Sequence, residues 1–513
     1  MQYIYLEDKN DMLFNSIEFM VFFPVVLFIY FIIPRKLRSL WMLVASYYFY
    51  MSWNPQYAIL IALSTVFTYA GGILVEKCVS MECRYTSRNF MRKVILIGCL
   101  AVNLAILGIF KYGNFLLDSL DAVVRVFGIE IVSRRFDLLL PVGISFYTFQ
   151  ALGYMIDVYR GDITAERNLL RYALFVSFFP QLVAGPIERS GNFLKQMREM
   201  EDIKLWNAKR ITSGAILMVW GLFMKMVIAD RTAILVDTVF DQYYIYGSTE
   251  LCVAAAGFAL QIYCDFGSYS LIAIGAAKIM GFTLMENFCA PYFAVSVKDF
   301  WSRWHISLSS WFKDYLYIPL GGSRKGKLRQ AVNKMIVFSV SGLWHGADWS
   351  FMAWGGVHGF YQVFADLTSP YRKKCLDQLK VKQECFSWRL LQTAVTFLLV
   401  DFAWIFFRAD SMMSALYYIK RIFIRPTPWA FFNGDLYTLG LDRPEMNILL
   451  FSVLILFLTD TIRVRKKILL DEFLFTQNLW FRWGCMIVLV LMIFIFGEYG
   501  PNFDAQQFIY FQF

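Results

Sequence analysis

Residues 335–360 read MIVFSVSGLWHGADWSFMAWGGVHGF, and the way this stretch breaks decides the fold. Met335–Trp344 is a run of apolar and small residues. His345-Gly346-Ala347-Asp348 then interrupts it, and a second apolar run starts at Trp349. Lys334 marks the boundary in front of the first run. From there to His345, at about 1.5 Å of rise per residue, the helix advances about 16 Å. That depth is near the middle of a hydrocarbon core about 30 Å thick. One unbroken helix over 335–367 would be about 50 Å long, so a helix break near Gly346 is expected. An ionisable side chain at the midplane is costly and marks function by default. The competing reading is a histidine hydrogen-bonded between helices; the adjacent break and Asp348 favour function.

The rest of the chain has the same character. Of its 513 residues, 58% are hydrophobic, 19% aromatic and only 17% charged, whereas soluble domains carry roughly 25% charge. Candidate apolar spans recur near 19–33, 40–53, 57–75, 94–117, 139–158, 169–184, 211–229, 251–264, 269–285, 335–345, 349–367, 388–407, 446–461 and 483–497. Several are too short or too interrupted to cross alone, so about 11 full crossings are expected. The expected fold is all-α, a polytopic membrane helical bundle with additional re-entrant and interfacial helices, in one domain over 1–513. The net charge of +10 comes from Lys and Arg gathered in short loops, as the positive-inside rule requires; nucleic acid is not the implied partner. Nine cysteines without repeating spacing are not a disulfide framework. The start is acidic (Glu7, Asp8, Asp11) and lacks a basic leader pattern, so Phe19–Ile33 is read as an uncleaved span.

Loop charges orient the first spans. Arg35, Lys36 and Arg38 follow the first, uncharged Asn54-Pro55 the second, and Lys77, Arg84, Arg88, Arg92 and Lys93 the third. Alternation puts the N-terminus outside and the 76–93 loop in the cytoplasm. It then fails, because 159–171 and 189–210 are both basic with one apolar segment between them. That segment holds Phe178-Phe179-Pro180 and Gly185-Pro186. It is expected to dip in and fold back, which irregular backbone can do only when buried in protein or lining a water-filled cavity. Between 295 and 330, Phe300, Trp301, Trp304, Trp311, Phe312, Tyr315 and Tyr317 alternate with charged residues. Segments lying in the interface plane, aromatic side toward acyl chains, would show that mixture. Pro319, Gly321 and Gly322 end it, and the basic loop Arg324, Lys325, Lys327 and Arg329 is placed in the cytoplasm.

The chain has three histidines. Besides His345, His305 lies in the aromatic-basic stretch, where a site role and simple anchoring are both open. His358 sits among Gly355, Gly356 and Gly359, which favour close helix packing. Asp265 interrupts another apolar run and must face a cavity or a partner, with Arg303 or a histidine as candidates. No H-E-x-x-H, C-x-x-C or G-x-S-x-G motif occurs, so no dedicated metal site or serine elbow is indicated. Gly321–Lys327 has P-loop spacing, but Leu328 replaces the required Ser or Thr. A midplane base without a nucleophile of its own fits direct transfer, the histidine taking a proton from an acceptor hydroxyl that attacks an activated acyl donor.

At these residues the chain resembles the membrane-bound O-acyltransferases, of the alginate O-acetylase type. The blocks carrying the resemblance are Met12–Ser16, Ala45–Tyr50, Phe178–Arg189 (FFPQLVAGPIER), Asp299–Gly322 (DFWSRWHISLSSWFKDYLYIPLGG), Gly342–Gly346, Trp404–Ala409 and Phe508–Phe513. Because the family start falls at Met12, residues 1–11 read as an N-terminal extension or a start chosen too early. The resemblance implies helices around a central tunnel, with the catalytic core at about 139–367. It also implies that His345 and His305 are the catalytic histidines, and that Asp265, Asn287, Arg303, Trp304, Trp344 and Asp348 bind substrate or line the tunnel. It implies no bound cofactor or metal, and an acyl thioester resembling acetyl-CoA as donor substrate. The implied partners are an exported or membrane-anchored protein resembling SGNH hydrolases and a polysaccharide acceptor, at the bacterial cytoplasmic membrane. Asp265–Leu271, D-F-G-S-Y-S-L, departs from the family's D-F-S-G-Y-S-D, so no role is carried to Leu271. The alternatives are D-alanyl transfer to teichoic acid and a secondary transporter or flippase, which also use broken helices with polar midplane groups.

Overall fold

A computed structural model describes residues 12–80, 85–128, 135–138, 140–183, 185–499 and 509. The proposed extension at 1–11 and most of the terminal FIYFQF lie outside the described residues. Every regular element among the described residues is helical. Among the described residues, seven helices are long and apolar enough to cross a membrane: Tyr57–Val79, Thr86–Val126, Ala208–Asp241, Ser248–Met280, Phe386–Arg408, Arg443–Lys466 and Leu479–Phe496. Other apolar stretches form shorter helices, such as Ile17–Ile32, Arg38–Met51 and Ile144–Arg160.

The chain divides into two compact units, Met1–Ala215 with Ile272–Met285, and Ile216–Leu271 with Glu286–Phe513. In the first, the segment expected to fold back is broken where Pro180 demands it. Helix Leu169–Ser177 has nine residues, about 14 Å of rise, and ends at Phe178; a single turn, Phe179–Leu182, follows. The break leaves backbone groups without helical partners, and side chains take their place. Gln150 and Gln181 each donate to the Phe175 carbonyl, at 2.6 and 3.0 Å. The Phe179 N–H donates to the Ser46 hydroxyl at 3.1 Å. Tyr172 through Leu182 are buried without exception, the condition under which broken backbone is tolerated at membrane depth.

In the second unit, apolar burial gains little over lipid, so close fit and hydrogen bonds must hold the helices. Helices Lys327–His345 and Trp349–Gln378 are separated by the break expected near Gly346 and pack against each other as a hairpin. A Cβ on Gly342 would stand 2.3 Å from the Phe351 carbonyl oxygen, and one on Gly355 2.2 Å from that of Phe338. The two backbones therefore touch, and only glycine allows it. The second helix runs on to Gln378, well past the expected end near 367, through Pro370; Lys334 and Asp366, 2.6 Å apart, tie it to the first.

The aromatic-basic stretch forms two short helices, Val297–Arg303 and Ile306–Phe312. Its aromatic side does not face acyl chains as expected. Phe300, Trp304, Trp311 and Phe312 are buried in protein, and Trp304 packs on Phe300 and Trp404 at 5.5 and 5.1 Å between centroids. A chain turn carrying a histidine inward needs such a packed wall, which spacing alone does not reveal.

Candidate active site

His345 is the last residue of its helix. Gly346 follows with extended backbone, φ −153°, and a Cβ there would lie 2.1 Å from the Phe351 ring. Asp348 then opens the next helix, its carboxylate accepting the Ser350 N–H at 2.7 Å; it is a helix cap. The predicted break is thus built from a glycine that allows the turn and an aspartate that restarts the helix. His345 is 2% exposed. Its ring meets those of Trp344, Trp354 and Phe407 edge-on, at 4.9, 5.0 and 5.4 Å.

His305 faces it, with ring centroids 6.3 Å apart. Trp344 lies against both histidines, 5.8 Å from His305, and Phe266 packs edge-on to His305 at 4.7 Å. His305 is fully buried, and burial pushes its imidazole well below the ordinary value of 6.5, so the ring is neutral. Among the described residues, neither of its ring nitrogens has a hydrogen-bond partner. A buried polar group left so costs about 1–3 kcal/mol. Its backbone is left-handed, φ 43° and ψ 54°, a conformation that costs a non-glycine residue about 1–2 kcal/mol. Strain of that kind gathers at functional sites.

His358, read as a packing residue, is buried and accepts a hydrogen bond from the Trp301 indole N–H at 3.2 Å. Arg303 pairs with Asp299 at 2.9 Å. Asn287 is buried with its carboxamide bonded to Ser270 and Ser307.

Asp265 has a partner the sequence reading did not name. Neither Arg303 nor a histidine pairs with it; Lys225 Nζ lies 2.7 Å from Asp265 Oδ1 and 2.7 Å from Asp230 Oδ1. All three side chains are buried. Lys225 belongs to a widened turn, Met224–Ala229, inside the long helix. Asp265 also accepts the Ile509 N–H at 2.8 Å, and beside the cluster Arg231 pairs with Glu498 at 2.6 Å. The cluster ties helices and the C-terminal segment together. Lys225 stands in Phe223-Met224-Lys225-Met226-Val227, a charge inside an apolar run; that was the available signal. Among the described residues, no group of three or more His, Cys, Asp or Glu could hold a metal ion.

The family model described as MBOAT, membrane-bound O-acyltransferase family, matches residues 164–383. The chain is 38% identical over 405 residues to the protein named "Probable alginate O-acetylase AlgI" of Pseudomonas putida, covering 78% of each chain. It is 34% identical over 440 residues to the peptidoglycan O-acetyltransferase of Helicobacter pylori, covering 80% of this chain and 79% of that one. Similarity to the teichoic acid D-alanyltransferase of Bacillus subtilis is lower, 27% over 248 residues, or 45% of this chain and 60% of that one.

Proposed function

On the premise that the chain belongs to the membrane-bound O-acyltransferase family, as a multi-pass membrane enzyme, we propose that it moves an acetyl group from a cytoplasmic thioester donor across the membrane toward hydroxyls of an exported or cell-surface polysaccharide. The single observation carrying the chemistry is the pair of buried imidazoles facing each other at 6.3 Å, one at the end of a helix that stops halfway through an apolar hairpin. His345 accepts the proton of the acceptor hydroxyl as its oxygen attacks the thioester carbonyl carbon. The carbon–sulfur bond breaks, and the imidazolium returns the proton to the leaving thiolate. His305, neutral and with unpartnered nitrogens, donates its N–H to the carbonyl oxygen as charge develops there. Trp344, Trp354 and Phe407 keep water from the thioester.

Similarity over most of the length to alginate and peptidoglycan O-acetylating proteins supports acetyl and a glycan acceptor. The shorter match to the D-alanyltransferase makes a D-alanyl group the weaker reading. Acyl transfer to the glycan is completed by an exported or membrane-anchored partner resembling SGNH hydrolases, and the enzyme resides in the bacterial cytoplasmic membrane. The test is base-labile acetate on the surface polysaccharide of cells carrying wild-type protein or His345→Ala at matched membrane levels. Loss of acetate with polysaccharide still exported is expected. Lost export would indicate a transporter instead, and unchanged acetate would overturn the reading.

A further inference from the structure

We infer that Asn287 is a positioning residue that holds His305 in its left-handed conformation and so aims the ring toward His345; this rests on the assignment of His305 to the acyl-transfer site. His305 occupies the capping position of helix Ile306–Phe312, yet its side chain makes no cap hydrogen bond. The first N–H groups of a helix have no partner within it and must find one elsewhere. Here Asn287 supplies it from another segment. Its carbonyl oxygen accepts the Ile306 N–H at 2.9 Å. Its Oδ1 accepts the Ser307 hydroxyl at 2.6 Å, and its Nδ2 donates to the Ser270 hydroxyl at 2.8 Å.

Asn287 thus bonds the two residues that directly follow His305 and anchors both to helix Ser248–Met280. On the other side, the Cys289 N–H donates to the Arg303 carbonyl at 2.9 Å, two residues before His305. The histidine is bracketed by a segment that is itself fixed. Glu286 pairs with Arg463, and the Phe288 ring packs on Trp304 at 4.9 Å. Asn287 is 1% exposed, with both ends of its carboxamide engaged. Its work is to resist relaxation of the strained backbone. A histidine turned by even about 1 Å loses alignment worth up to about 100-fold in rate.

The experiment uses detergent-purified full-length protein reconstituted with membranes from cells lacking it, which supply the partner and the polysaccharide acceptor, with radiolabelled acetyl-CoA as donor and rates expressed per folded molecule. Asn287→Ala is expected to lower kcat about 10–100-fold while the KM for acetyl-CoA stays within about twofold. Ser270→Ala and Ser307→Ala, each removing a hydroxyl that bonds the Asn287 carboxamide, lower kcat about 3–10-fold with the same split, and Asn287→Ala combined with Ser270→Ala is no slower than Asn287→Ala alone. A residue that merely supported folding would reduce the yield of folded protein and leave kcat per folded molecule unchanged. Unchanged kcat, a change confined to KM, or losses that multiply would overturn the inference. Should Asn287→Ala be recovered only as aggregate, the two serine variants carry the same test. Inactive His305→Ala and His345→Ala beside a fully active Asn287→Ala sink this inference alone. A wild type that transfers no acetyl, or histidine variants at full rate, sink the acyl-transfer reading itself.

Discussion

At the scale of single residues, the three histidines separate by what surrounds them. His345 and His305 face each other inside an aromatic wall, whereas His358 accepts a hydrogen bond from Trp301 and stacks on Phe300 at 6.2 Å. His358→Ala should therefore cost stability and leave transfer within about tenfold of wild type, since large-to-small changes in packed interiors cost about 2–5 kcal/mol; thermal unfolding and rate, measured together, check this. Lys225 offers a second prediction. Replacing it with Met leaves Asp230 and Asp265 facing each other in a buried site, and breaking a buried pair from one side costs about 3–5 kcal/mol. Lys225→Met should lower the melting temperature sharply; a variant with wild-type stability would show that the cluster holds nothing together. The helix break at His345 was legible in the sequence because an apolar run stops there and a second one starts. The partner of Asp265 was not, because pairing across helices leaves no trace in spacing, and Lys225 lay in a run otherwise apolar enough to read as an ordinary span.

Among the elements, the hairpin of Lys327–His345 and Trp349–Gln378 sets where His345 sits. Its glycines do two kinds of work: Gly346 lets the chain turn past Phe351, and Gly342 with Gly355 lets two backbones touch. An added methyl at Gly342 or Gly355 meets a carbonyl oxygen, which cannot swing away as a side chain would. Gly355→Ala should push the helices apart, lower stability by about 1–3 kcal/mol and slow transfer through displacement of His345. Gly356→Ala, whose Cβ meets nothing within 4 Å, should do neither. Equal effects of the two substitutions on unfolding and rate would contradict this account of the hairpin. The break in this hairpin and the one at Phe178–Pro180 could be read from residue types, since Gly, Pro and an N-capping Asp act locally. The inward packing of Trp304 and Trp311 could not, because the same alternation of aromatic and charged residues suits a bilayer interface and a buried wall alike.

For the molecule as a whole, the loop charges give a sidedness that can be measured. The stretch after helix Trp349–Gln378 continues a basic run begun at Arg372, Lys373 and Lys374, which the positive-inside rule places in the cytoplasm. Cys375 is exposed there. A membrane-impermeant maleimide should label it only after cells are permeabilised, with Cys375→Ser as the control; labelling of intact cells would reverse the orientation. Composition alone was sufficient to identify a helical membrane protein, since bilayer length and apolarity are one-dimensional properties. The acceptor and donor left no such mark.

The central claim is that a proton-accepting imidazole at His345 drives acyl transfer, and its most direct test is the rate of acetyl transfer by reconstituted wild type, His345→Ala and His358→Ala, each verified as folded. The account predicts a fall of about 100- to 10,000-fold for His345→Ala and a rate within about tenfold of wild type for His358→Ala. A folded His345→Ala enzyme working at the wild-type rate would contradict it.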